Sequence, residues 1–140
     1  MPEIPLQRCA CALLVREGRI LLAKRAGHRR RYPGVWDVIG GHQEPGESIE
    51  EALLREVEEE VGVRPSRFIE LGAIDEPNPE INDPHVYHMF QVMEWRGGEP
   101  RHACDEHSEI GWFSAAEAYA LDLALAEYRD FFRRVLAEPS

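Results

Sequence analysis

Glu56, Glu59 and Glu60 stand at i, i+3 and i+4. On a helix this spacing makes their side chains neighbours, about 5–6 Å apart at Cβ, where like charges destabilise the bare helix. A cation relieves that repulsion. Hard carboxylate oxygens at this spacing suit Mg²⁺, which commonly takes one or two carboxylates and completes its shell with water and phosphate oxygens. A merely solvated acidic face is the competing meaning of the same three residues, and the surrounding pattern has to decide.

The element that must carry them begins at Ser48. Ser48 and Glu51 have the spacing of a capping box, and Gly62 sits where a left-handed C-terminal cap stops a helix. Ile49, Leu53, Val57 and Val61 recur at every fourth residue and form its buried stripe, leaving the three glutamates on another side. One face packs and the other is anionic.

The chain around this helix has 140 residues, 44% of them hydrophobic, which suits a single domain over 1–140. Its formal net charge of −10 argues against a broad surface for duplex nucleic acid. Eight glutamates fall between Glu44 and Glu60, with Arg55 as the lone base among them. Cys9, Cys11 and Cys104 are odd in number and lack C-x-x-C spacing, and no signal peptide or long apolar stretch is evident. Three free thiols, a cytoplasmic setting and no membrane partner are therefore expected. His85, His88 and Cys104 do not read as a zinc site, because i and i+3 on a strand point to opposite faces.

Apolar runs at 8–16 and 19–25, separated by Glu17-Gly18, predict a β-hairpin. A basic loop follows, with Lys24, Arg25, His28, Arg29, Arg30 and Arg31, and leads into Trp36-Asp37-Val38-Ile39. Further strands are expected at 67–75, 85–95 and 110–113, with a Pro-rich loop between the first two. Ser114 and Glu117 repeat the capping-box spacing. Leu121, Leu125, Tyr128, Phe132 and Val135 predict an amphipathic C-terminal helix laid on the sheet. Strands, a central helix, more strands and a last helix amount to a mixed sheet covered by helices, an α/β class, with strand directions left open.

Gly41 to Val63 reads GHQEPGESIEEALLREVEEEVGV and matches every defined position of the Nudix signature G-x5-E-x7-R-E-U-x-E-E-x-G-U, U being a bulky aliphatic residue. The sequence thus resembles the Nudix hydrolases over about a sixth of its length by motif, and over nearly all of it by order of elements. The resemblance implies an α/β/α sandwich and Mg²⁺-dependent hydrolysis, with Mn²⁺ as a possible substitute, of a phosphoanhydride bond in a nucleoside diphosphate-linked small molecule. It further implies that Glu56, Glu59, Glu60 and the Gly41 carbonyl hold metal, that Glu47 lies near it, and that Arg55 holds a glutamate of the cluster in place.

The family varies in its general base, so Glu56, Glu59 and the loop acids Asp105, Glu106 and Glu109 all qualify. Among the loop acids Glu106 is favoured, since many family members resemble one another in carrying a glutamate just before the corresponding strand. Arg25 and Arg31 are candidates for substrate phosphates. Trp36, Tyr87, Phe90, Trp95 and Trp112 are candidates for stacking on a base, with core packing as the alternative for each.

A nucleoside triphosphate is the first choice of substrate, with ADP-ribose or a nucleotide sugar second, hinted at by Pro77 and Pro79 beyond the motif. Tyr32 to Asp37 and Gly40-Gly41-His42 also resemble the isopentenyl-diphosphate isomerase branch, but those enzymes place a catalytic Cys where this chain has Gly40. A non-catalytic regulator would be expected to lack carboxylates that are all present. The expected form is a monomer or homodimer.

Overall fold

The computed structural model describes residues 4–29 and 31–136, so Arg30 of the basic loop and the two ends of the expected 1–140 domain lie outside the described residues. β1 (Gln7–Arg16) and β2 (Arg19–Arg25) form the expected hairpin. The basic loop leads into two short strands, β3 (Trp36–Asp37) on β2 and β4 (Ile39–His42) on β1. Then come α1 (Ile49–Val61), β5 (Arg64–Asp75), the single turn α2 (Pro79–Asn82), β6 (His85–Arg96), β7 (His107–Phe113), α3 (Ala115–Ala120) and α4 (Tyr128–Val135).

Among the described residues seven strands make one mixed sheet, in the order β3-β2-β1-β6-β5, with β4 also on β1 and β7 also on β2. β1 pairs in parallel with β6 and antiparallel with β4, and passes to β2 only at Val15 and Arg16. It is therefore central and covered on both sides, which is why its sequence is a nearly continuous apolar run. Cys9, Cys11 and Leu13 face one core with α3 and α4, while Ala10, Ala12 and Leu14 face the other with α1. Two helical layers thus enclose the sheet in an α/β/α sandwich.

The C-terminal segment departs from expectation. Leu121 and Leu125 are not on a helix with Tyr128 and Phe132; α3 ends at Leu121, which is extended (φ −75°, ψ 155°). The intervening residues bond instead to the backbone of Trp36, which donates to the Asp122 carbonyl and accepts from Ala124 N–H, each at 2.8 Å. Arg129 secures the break by donating to the carbonyls of Tyr119 and Leu121. Helical spacing of apolar residues survives because Leu125, Tyr128 and Phe132 all reach the same core.

Candidate functional site

α1 is delimited as its sequence requires. Ser48 Oγ accepts from Glu51 N–H at 3.1 Å and Glu51 accepts from Ser48 N–H at 2.9 Å. Gly62, left-handed at φ 74°, returns its N–H to the Glu58 carbonyl. Ala52, Leu53, Val57 and Val61 are buried against the sheet, which fixes the rotation of the helix and so aims the glutamates.

Arg55 gathers the outer carboxylates. It gives Glu47 a two-pronged bond of 2.7 and 2.9 Å, donates to Glu56 at 2.8 Å and Glu59 at 3.2 Å, and ties α1 to the His42 carbonyl at 2.8 Å. The planar fork of a guanidinium suits this shared work. Its hydrogen bond holds the Glu47 carboxyl down at about 2. The three motif glutamates are unequally exposed: the Glu59 side chain is 57% accessible, Glu56 14% and Glu60 2%.

Glu60 turns inward. It accepts from Gly40 N–H at 3.2 Å and meets His107 Nε2 at 2.5 Å. Burial, then the neighbouring Glu56 charge, raises its pKa well above the usual carboxylate range; burial lowers that of His107. The Glu56 carboxyl also rises, through burial, although its hydrogen bonds to Glu60 and Arg55 oppose this. A buried carboxyl and a half-buried one beside it thus resist carrying two charges. Gly41 makes room for them: a Cβ there would lie 2.5 Å from Glu56 Oε2.

Glu56 and Gly41 form part of the wall of a cavity of about 190 Å³, far more than the ~10–15 Å³ one water needs. Arg25, Arg29 and Arg31 line it as well, as do Tyr32, Tyr87 and Tyr128. Arg25 is ion-paired with Asp37 at 3.0 Å, Arg29 with Glu106 at 3.3 Å and Arg31 with Asp83 at 2.8 Å, while Arg31 Nε is buried without a hydrogen-bond partner. The hydroxyls of Tyr32 and Tyr87 both donate to the buried Glu76, at 2.8 and 2.6 Å. Glu106 lines the cavity, and Asp105 and Glu109 are not among its lining residues.

The other sequence candidates lie elsewhere. Trp36 is not part of the cavity wall; it packs edge-on against Phe113 with centroids 4.9 Å apart. Phe90 is core, and Trp95 stacks with Trp112 beneath the Arg16 guanidinium, outside the cavity. Of the aromatic residues proposed for stacking, Tyr87 reaches the cavity. Sequence reasoning missed His107, Tyr32 and Tyr128 at the site. His107 directly follows Glu106, but nothing local in the sequence ties it to Glu60.

The NUDIX domain model matches residues 5–135. The chain belongs to the NUDIX domain family. The structure of a MutT NUDIX hydrolase from Burkholderia pseudomallei superposes on this Nudix chain with a TM-score of 0.75 at 32% identity, covering 81% of this chain and 87% of that one. Nucleoside triphosphatase NudI of Escherichia coli is 52% identical over 52 residues, 37% of each chain. An isopentenyl-diphosphate Delta-isomerase of Mycolicibacterium vanbaalenii is 46% identical over 55 residues, 39% of this chain and 30% of that one. The chain thus aligns with about a third of the length of the curated relatives it matches.

All three cysteines are free. No helix among the described residues is long and apolar enough to cross a membrane.

Proposed function

We propose that this Nudix protein is a pyrophosphohydrolase of nucleoside triphosphates, dependent on Mg²⁺ with Mn²⁺ as a substitute. The observation that carries the reading is a cavity lined both by carboxylates, Glu56 of α1 among them, and by three arginines. Anionic phosphate oxygens and the cations that neutralise them need opposite surroundings in one space. The adjoining carboxyls of Glu56 and Glu60, both resistant to a second charge, fit a cation as their missing partner. Glu59 and the Gly41 carbonyl complete the ligand set.

Bound there, the metal would supply charge neutralisation and an acidified water. The chain's own residues do the rest. Arg55 holds Glu47, Glu56 and Glu59 in fixed relation, and Arg25 and Arg31 on the cavity wall face the substrate phosphates. Glu106, on the cavity wall beside Arg29, takes the proton of the attacking water. Water oxygen bonds to phosphorus as the bridging phosphoanhydride oxygen leaves with pyrophosphate. Tyr87 offers a face to the base.

Likeness to an isomerase gives a second reading, which Gly40 opposes. Its φ is 150°, and a Cβ there would lie 2.0 Å from the Ala10 carbonyl oxygen, so a cysteine at this position requires the strands to move apart. The thiols, unpaired and in two cases buried, support a reducing cytoplasmic setting. A screen of nucleoside triphosphates, ADP-ribose, nucleotide sugars and isopentenyl diphosphate with Mg²⁺, products identified by mass, tests the assignment. Nucleoside monophosphate and pyrophosphate are the expected products; turnover confined to another class overturns it.

A further inference from the structure

Three strands meet at the cavity with a different kind of ligand. β1 places Cys9 opposite His42 of β4, and its parallel register with β6 sets Gln7 opposite His85. Since side chains alternate along a strand, Cys9, His42 and His85 point to the same side of the sheet. All three line the cavity. The Cys9 sulfur and one nitrogen of each ring lie within 4.8 Å of one another.

The His85 ring is set for a lone pair to face inward. His85 Nδ1 is 2.9 Å from the Asp83 carbonyl, which can only accept, so Nδ1 carries the hydrogen and Nε2 keeps its lone pair. A carbonyl fixing the far nitrogen in this way is what orients a metal-binding histidine. His42 Nε2, 2.9 Å away, donates its hydrogen to that lone pair, and a shift of this hydrogen to His42 Nδ1 frees both Nε2 atoms for a cation. A tetrahedral zinc site with bonds of about 2.0–2.1 Å to nitrogen and 2.3 Å to sulfur has ligand-to-ligand edges of roughly 3.3–3.6 Å. The separations of 2.9 Å and up to 4.8 Å bracket that edge, so small side-chain rotations close the set.

We propose that Cys9, His42 and His85 form a binding site for a zinc-class divalent cation, separate from the carboxylates of α1. One thiolate and two imidazoles select a borderline ion, whereas Mg²⁺ prefers oxygen and stays with the glutamates. Binding releases the thiol proton of Cys9 to solvent as the sulfur–metal bond forms. Three protein ligands leave a fourth position for water or an oxygen of a ligand in the cavity. His88, on the opposite face beside Arg8 and Glu70, takes no part.

The test is spectroscopic and independent of turnover. The full chain, reduced and stripped with chelator, is titrated with Co²⁺ and then Zn²⁺ in millimolar Mg²⁺. One Co²⁺ per chain with a thiolate-to-cobalt charge-transfer band, displaced by Zn²⁺, is expected. Cys9→Ser should abolish the band and weaken Zn²⁺ binding at least about tenfold, and His85→Gln should weaken it similarly, with unchanged far-ultraviolet circular dichroism. Glu59→Gln should keep the band. Absence of a thiolate band, its persistence in Cys9→Ser, or its loss in Cys104→Ser with Cys9 intact overturns the site.

Discussion

Glu59 and Glu60 are adjacent in sequence and carry the same group, yet they occupy two different regions. Glu59 stands in water beside an arginine that also serves Glu47 and Glu56, whereas Glu60 lies beneath the sheet edge against His107 and the Gly40 amide. The same single step separates Glu106, which lines the cavity beside Arg29, from His107, which turns to Glu60. Position along a helix or strand sets which side chains are neighbours, but the depth of each one sets what its charge costs.

The largest expected effect falls on the exposed member of the pair. Glu59→Gln should lower hydrolysis by about 10³-fold or more, because losing a negative ligand removes several kcal/mol of transition-state stabilisation. In EDTA its melting temperature should equal or slightly exceed that of the wild type, and Mg²⁺ should raise it less. A variant that keeps Mg²⁺-dependent turnover, or gains as much from Mg²⁺ as wild type, removes Glu59 from the metal site.

Glu106→Gln should reduce kcat by at least about 10²-fold with little change in KM, as expected for loss of a general base. Near-normal turnover would transfer the role to α1 and leave Glu106 as a partner of Arg29.

Stability should rank the two glutamates in the reverse order. Glu60→Ala leaves the buried His107 ring nitrogen and the Gly40 amide without their partner, and should cost about 1–3 kcal/mol in urea unfolding. Glu59→Ala, at the surface, should stay within about 0.5 kcal/mol. Equal costs would mean that depth does not distinguish them.

The smallest effect is a pH dependence on the Arg55 side. The folded carboxyl of Glu47 titrates near 2, against a reference of 4.5, because Arg55 bonds its charged form. A depressed carboxyl stabilises the fold fully above its unfolded value and loses that contribution as pH falls through the folded one. The stability gap between wild type and Glu47→Gln should therefore be constant from pH 7 to about 5 and shrink between 4.5 and 2. A gap that widens on acidification would show that Arg55 holds Glu47 for some other reason.

Much of this protein was legible in its residues because the deciding interactions are local. Ser48 with Glu51, Gly62 with Glu58, each four-residue step of the stripe from Ile49 to Val61 and the bond from Arg55 to Glu47 join residues no more than 8 apart, on one helix and its approach. Their geometry follows from the helix alone, so the start and stop of α1 and the grouping of its glutamates could be read directly. The identical box at Ser114 and Glu117 also formed, but it could not foretell where α3 would end. That end depends on Trp36, far back in the chain, offering its backbone to Asp122 and Ala124.

The inward half of the site belongs to this second kind. His107 and Glu60 are 47 residues apart, and His42 and His85 are 43 apart. Cys9 joins those histidines because β1 pairs with β4 on one side and β6 on the other. Spacing in the sequence carries no trace of such meetings, since strand order and direction are chosen by burial of both faces of the sheet. The residues by themselves specified the helix and its charges; packing of the strands decided which of those charges would be buried, and beside what.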